Sequence, residues 1–150
     1  MVWAKSPGSP AVASTNVDPV SNVEVRQVGK HEFVATNDRG ASVRVGRKGA
    51  EGAFTPVELL LAAAAGCAAV TAETLITRRV GDGLVARADD VRPEGAHQLD
   101  AVPVALEYDV SSLSPEDRAA LDAAVRRAIE QLCTVTRTLK KAPPTPLTLP

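Results

Sequence analysis

Aromatic residues are scarce in this sequence. The 150 residues include one tryptophan, one tyrosine and two phenylalanines. A hydrophobic core must therefore be built from Leu, Val, Ile and Ala. Such a composition favours closely packed helices or a core shared between two subunits.

The sequence also lacks a strong charge of either sign and a long apolar run. Its formal net charge is −1, so we expect neither nucleic acid nor an anionic membrane surface as a partner. The longest apolar run covers residues 59–70 and is interrupted only by Gly66. A run this short predicts a buried helix, because crossing a bilayer takes about 20 residues.

Cysteine and histidine are few as well. Two cysteines are too few for a secreted disulfide scaffold, and no apolar stretch of signal-peptide length opens the sequence. These features predict a cytoplasmic protein. Cys67 and Cys133 lie far apart in sequence and have only His31 and His97 as companions, so we expect no metal site.

The patterning predicts one α+β domain. Residues 1–21, rich in Pro, Gly and Ser, indicate a flexible tail or arm, and residues 22–150 form the domain. Alternating apolar residues and turn signals predict a three-stranded meander, followed by a helix from residue 56 to about residue 79. Two strands, an amphipathic helix from residue 115 and a last strand near residues 135–139 complete the order βββ-α-ββ-α-β.

The two cysteines are the candidates for chemistry. Cys67 lies mid-helix among Ala and Gly residues, which leave space over its sulfur. A buried cysteine also serves commonly as a small hydrophobic residue, so this pattern alone keeps both interpretations open. Cys133 lies at the expected end of the second long helix. The two thiols can meet if the helices pack, but spacing does not determine that distance.

Two segments carry a family resemblance. Residues 55–67 read TPVELLLAAAAGC, and residues 133–139 read CTVTRTL. Their content and order resemble the two cysteine motifs of the OsmC/Ohr family, and the predicted elements match over residues 22–141. The run of Leu and Ala after the glutamate is closer to the YhfA-like branch of that family.

The resemblance implies a fold, an assembly and an activity. It implies an intertwined homodimer around a central buried helix that carries Cys67, with active sites at the subunit interface. It also implies reduction of organic hydroperoxides without a bound cofactor, at the expense of an external dithiol. Cys67 matches the peroxidatic cysteine, Cys133 the resolving cysteine, and Arg47, 20 residues before Cys67, the arginine that stabilises the thiolate.

The sequence departs from the family pattern in two places. Peroxidase members carry a glutamate ten residues before the cysteine, where this chain has Val57, and Thr134 replaces the usual proline. Glu58 is one position later and is better explained as a helix-start residue. Glu58 and Glu51 are further candidates, as supports for Arg47, and Arg44 and Arg39 are alternatives to Arg47.

Two functions follow from these observations. The first is a peroxidase in which hydroperoxide oxidises Cys67 to a sulfenic acid, which then condenses with Cys133 to a disulfide. The second is a non-enzymatic dimer that binds a small apolar molecule or acts as a redox sensor. Val57 favours the second, whereas the pair of cysteine motifs favours the first.

Overall fold

A computed structural model describes residues 21–150 of the chain. It confirms the predicted α+β class, with five strands and three helices in these residues. The tail predicted for residues 1–21 lies outside the described part of the chain, apart from its last residue.

The first three strands form an antiparallel meander. They are β1 (Val23–Gly29), β2 (Glu32–Asn37) and β3 (Ser42–Gly46), in the order β1-β2-β3. The first turn places His31 at φ 62°, a left-handed conformation in which a side chain is uncommon. Short turns between alternating strands thus produce the sheet that the sequence predicts.

One face of this sheet is apolar and the other is polar. Val25 lies opposite Ala35, which in turn lies opposite Val43, so the three share one face. The neighbouring Arg26 and Arg44 lie on the opposite face, because side chains alternate along a strand. The apolar face is covered unevenly: Ala35 and Val45 are buried, whereas Val23 is 63% exposed and Val25 56%.

Helix α1 (Pro56–Val80) begins and ends where the sequence predicts. The Glu58 amide donates to Thr55 Oγ1 at 3.2 Å, and the Thr55 amide donates to Glu58 Oε2 at 2.7 Å. This capping box satisfies two amides that a helix start leaves without partners. Gly81 ends the helix at φ 82°, a conformation that favours glycine.

Burial of α1 follows a stripe rather than its whole circumference. The buried stripe comprises Ala64, Ala65, Ala68, Ala72 and Ile76. Another side stays open in the single chain, where Val70 is 76% exposed. By length and composition the 25-residue helix could cross a membrane, and an 18-residue window within it has a mean hydropathy of 1.9. The core helix of a soluble protein can be equally long and apolar. Helix α1 has a buried stripe and a capping box, as such a core helix does.

The core forms where α1 meets the second half of the chain. Strands β4 (Val85–Ala88) and β5 (Val104–Glu107) pair antiparallel and pack against α1, and α2 (Pro115–Leu132) also packs against α1. Ser114 caps α2 as predicted, since its hydroxyl accepts from the Asp117 amide at 3.1 Å. The buried centre consists of Ala72, Ile76, Leu121 and Val125.

The prediction of a last strand near residues 135–139 is wrong. Residues Thr134–Lys140 form a short helix, α3, which packs against α1 and α2. The β-branched run of Thr134, Val135 and Thr136 favours a strand locally. Within the fold Cys133 adopts an extended conformation that ends α2, and the Arg137 amide then donates to the Cys133 carbonyl at 3.0 Å to start a new helical turn. Tertiary packing has overridden the local preference.

The described chain consists of two units that hardly pack on each other. The sheet unit comprises residues 22–54, and its extensive contacts lie among its own three strands. The helical unit comprises residues 55–141, where α1 contacts α2, α3, β4 and β5. Backbone hydrogen bonds of Phe54 with Arg44 and Gly46 lie within the sheet unit and hold its last residue against β3, directly before α1 begins.

Candidate functional site

Cys67 lies near the middle of α1 and is half-buried. A Cβ placed on the preceding Gly66 would meet no other atom within 4 Å, so the helix surface beside the cysteine is open. One turn later, the Thr71 hydroxyl donates to the Cys67 carbonyl at 2.7 Å. Cys67 is therefore a partly exposed residue beside an open stretch of the helix surface.

Cys133 lies at the junction of α2 and α3 and is completely buried. Its amide donates to the Ile129 carbonyl at 3.1 Å, which closes the last turn of α2. Its thiol donates to Thr136 Oγ1 at 3.2 Å. The change of direction between the two helices thus turns the sulfur inward, toward α1.

The structure brings the two cysteines together. Burial raises the pKa of the Cys133 thiol, but hydrogen bonds with Thr136, with Cys67 and with Thr71 outweigh burial and hold that pKa below its ordinary value. Cys67 is thus close enough to Cys133 to lower its pKa, across the contact between α1 and the α2–α3 junction. Sequence spacing left this proximity open.

Arg47 does not join this pair within one chain. It lies exposed in the turn after β3, and its side chain forms no hydrogen bond or ion pair with residues 21–150. The two alternatives are engaged elsewhere: Arg44 pairs with Glu32 and Arg39 with Asp38, each at 3.8 Å. The role assigned to Arg47 therefore stays a prediction.

The two glutamates proposed as supports have other surroundings. The Glu58 carboxylate accepts the Thr55 amide in the capping box, as a helix-start residue does. Glu51 is exposed and lines a small cavity beside Gly46 and Arg44. In the described residues neither carboxylate pairs with Arg47.

A wide groove lies next to the cysteine pair. Its volume is about 980 Å³, and it runs between α1, α2, α3 and the β4–β5 region. Val57, Leu60 and Ala64 line it from α1, whereas Thr136 lines it from α3. Because Thr136 also accepts from Cys133, the groove reaches the immediate surroundings of the thiols.

Val57 thus occupies a position that faces the groove. The glutamate that peroxidase members carry at this position is replaced by an apolar side chain, and Glu58 is not among the groove-lining residues. Charged side chains are supplied instead by the opposite wall, from Arg126, Glu130 and Lys140. The groove therefore combines an apolar floor with a charged margin.

Sequence reasoning missed the two threonines of the site. Thr136 follows Cys133 by three residues, and Thr71 follows Cys67 by four. Both spacings place a hydroxyl within one helical turn of a cysteine, which is a usable signal. It was hidden for Thr136 because residues 135–139 were expected to form a strand. No group of three or more metal-ligating side chains occurs within residues 21–150.

Comparisons of sequence identify relatives of this chain. The model of the OsmC-like protein family matches residues 48–148. Uncharacterized proteins of Mycobacterium tuberculosis and Mycobacterium bovis are 32% identical over 118 residues. These matches cover 77% of this chain and 86% of each relative.

Solved structures share the fold. An OsmC-like protein from Mycoplasma pneumoniae is similar with a TM-score of 0.64 at 16% identity, over 84% of this chain and 91% of the other. A Legionella pneumophila protein described as an organic hydroperoxide resistance protein and predicted redox protein gives a TM-score of 0.56 at 16% identity, over 84% and 93%. At these identities the likeness concerns the fold alone.

Proposed function

Because this chain belongs to the OsmC-like protein family, we propose that it is a thiol-dependent peroxidase that reduces organic hydroperoxides. The observation that carries the proposal is the pairing of an accessible thiol with a buried one. Cys67 is half-buried, whereas Cys133 beside it is fully buried. This is the arrangement that a peroxide-reactive thiol and a resolving thiol require.

The chemistry begins with the Cys67 thiolate, since the thiolate rather than the thiol is the nucleophile. It attacks the outer peroxide oxygen, the O–O bond breaks, and the alkoxide leaves and takes up a proton to become an alcohol. Cys67 is oxidised to a sulfenic acid while the peroxide is reduced. The Cys133 sulfur then attacks the Cys67 sulfur, and the hydroxyl departs as water.

An external dithiol closes the cycle by two exchange steps. The dithiol becomes a disulfide, and Cys67 and Cys133 return to thiols. No cofactor is required, because both electrons come from the dithiol. The proximity of the two cysteines supports this sequence of steps, since the condensation of the Cys67 sulfenic acid with Cys133 needs direct contact between their sulfurs.

The groove supports an organic rather than a small polar peroxide. Apolar side chains from α1, β5 and α2, among them Leu60, Leu106 and Ile129, line it. An alkyl or lipid chain buried against them gains about 25 cal/mol for each Å² of apolar surface removed from water. Hydrogen peroxide has no such surface to bury.

The uncovered face of the sheet unit supports a homodimer. Three strands with one open apolar face are marginal alone and need a further layer. A second copy of the chain would supply that layer and would bring a sheet unit, with Arg47 at the end of β3, to the other copy's helical unit. We propose that the arginine acts on the thiolate in this way, because a cation favours the charged form of a thiol.

A non-enzymatic function is the second candidate. It is favoured by Val57 at the groove wall. It is also favoured because no charged side chain of residues 21–150 is among the groups that shift the pKa of Cys133. In this alternative the dimer binds a small apolar molecule or senses oxidants through a reversible disulfide.

A thiol titration with one equivalent of cumene hydroperoxide distinguishes the two functions. We expect wild type to lose both thiols rapidly, Cys133→Ser to accumulate a sulfenic acid that dimedone traps on Cys67, and Cys67→Ser to react no faster than a free thiol. Steady turnover with dithiothreitol is expected in wild type only. If wild type consumes its thiols no faster than free cysteine, the peroxidase is excluded and the binding or sensing function is preferred.

A further inference from the structure

The two cysteines differ in solvent exposure, and this difference concerns the re-reduction of the disulfide in the proposed cycle. Cys67 is half-buried beside an open stretch of helix, whereas Cys133 has no exposed surface. In a disulfide between them, only the Cys67 sulfur is open to an attacking thiolate. The Cys133 sulfur is then the leaving group.

A leaving thiolate needs stabilisation at a buried position, because burial disfavours the charged form. At Cys133 that stabilisation comes from the hydroxyl and the backbone amide of Thr136, and then from Cys67 and Thr71. The titratable neighbour among them is Cys67. Within the described residues, no charged side chain contributes to holding the pKa of Cys133 low.

The two threonines are not equivalent. The Thr71 hydroxyl has a single proton, which it donates to the Cys67 carbonyl at 2.7 Å. The Thr136 hydroxyl accepts from the Cys133 thiol at 3.2 Å and donates to no other group within residues 21–150. Once Cys133 loses its proton, Thr136 can turn its own proton toward the sulfur.

We propose that Thr136 is a positioning residue that donates a hydrogen bond to the Cys133 thiolate, so that a reductant attacks Cys67 and Cys133 departs. This inference rests on the proposed function, since it assigns the re-reduction half of the same cycle. The attacking thiolate forms a mixed disulfide with Cys67, and the Cys67–Cys133 bond breaks with its electron pair on Cys133. A leaving thiol of lower pKa departs faster.

The test uses the disulfide formed with diamide, which makes it independent of hydroperoxide chemistry. Wild type, Thr136→Val and Thr136→Ser are oxidised, and their re-reduction by dithiothreitol is followed at neutral pH. Thr138→Val is the matched control, because Thr138 lies exposed on the same helix. We expect Thr136→Val to be re-reduced about tenfold more slowly, in line with the loss of one hydrogen bond to a charged group. Thr136→Ser should be near wild type, and Thr138→Val should equal it.

Two further readouts separate this role from a structural one. Thiolate ultraviolet absorbance, followed against pH in a Cys67→Ser background, should show a higher Cys133 pKa in Thr136→Val than with Thr136 intact. Glutathione added to the oxidised protein and quenched with acid should be found on Cys67 by peptide mass mapping. Glutathione on Cys133, or equal re-reduction rates of Thr136→Val and wild type, would overturn the proposal. If these results hold but the protein does not consume hydroperoxide, the peroxidase function is refuted and the role of Thr136 in re-reduction stands.

Discussion

The sheet unit and the helical unit differ in how much of their apolar surface each buries by itself. The helical unit closes a core of its own, in which Ile76 is completely buried between α1 and its neighbours. The strands of the sheet unit pair along their length, with one shift of register between Gln27 and Gly29, but Val23 and Val25 stay more than half exposed. Regular hydrogen bonding therefore does not by itself make a complete folding unit, because a sheet also needs a layer to cover its apolar face.

The same difference bears on the candidate site. Both cysteines and both threonines belong to the helical unit, and the contacts among these four residues form within one chain. Arg47 belongs to the sheet unit and has no side-chain partner in the described residues. The part of the site that the helical unit builds can thus be tested in a single chain, whereas the part that involves Arg47 depends on assembly.

The largest expected effect comes from the core of the helical unit. Ile76→Ala removes buried methyl and methylene groups and leaves a cavity, so we expect a loss of about 2–5 kcal/mol of unfolding free energy. Denaturant unfolding followed by circular dichroism measures it. Ile76→Val, which removes less, should cost about 0.5–1.5 kcal/mol. A loss for Ile76→Ala below that of Ile76→Val would show that α1 does not close the core as described.

A charge on the open face of the sheet unit tests whether a second copy covers it. We expect Val25→Asp to weaken the dimer about a hundredfold or more, since an unpaired carboxylate is costly to bury. Sedimentation velocity over a range of protein concentrations measures the dissociation constant.

Thr36→Asp is the matched control for that experiment. Thr36 is exposed and lies opposite Glu24 and Ser42, on the polar face of the same sheet. It should leave the dimer intact although it adds the same charge. Equal dissociation of both variants, or a wild type that is monomeric at every concentration, would mean that the apolar face is not the dimer interface.

The smallest effect concerns pH and the margin of the groove. The Tyr108 hydroxyl donates to Asp122 Oδ1 at 3.2 Å, and burial, followed by the Asp122 charge, raises the pKa of Tyr108. The unfolded tyrosine ionises near pH 10, so its contribution to stability is complete below about pH 10 and is lost as pH rises toward the folded pKa. Unfolding free energies measured from pH 8 to 11 should therefore decline more steeply in wild type than in Tyr108→Phe.

Asp122→Asn sharpens the same test in the helical unit. It removes the carboxylate but leaves the burial of Tyr108, so we expect a decline intermediate between wild type and Tyr108→Phe. A decline as steep in Tyr108→Phe as in wild type would assign the alkaline loss of stability to other groups.

Local signals predicted most of the element boundaries. The Thr55 and Glu58 pair and the Ser114 cap mark both long helices, because capping depends on residues within one turn. The last element was mispredicted for the converse reason. Its β-branched residues favour a strand, and only contacts of α3 with α1 and α2 reverse that preference.

In the candidate site, too, local sequence signals identified some residues, whereas others needed the tertiary structure. The cysteine motifs identified Cys67 and Cys133, because the residue types and their neighbours are visible in the sequence. The roles of Glu58 and Val57 became clear only from the structure. Adjacent positions of a helix point about 100° apart, and here Glu58 caps the helix whereas Val57 lines the groove.

The sequence by itself determined the α+β class, the two long helices, the family and the pair of candidate thiols. These properties depend on periodicity, caps and short motifs, which act over a few residues. Only the tertiary structure decided that Cys133 lies beside Cys67, that Thr136 and Thr71 surround it, and that the sheet unit lacks a covering layer. Those properties arise from contacts between distant segments, and packing rather than local preference selects them.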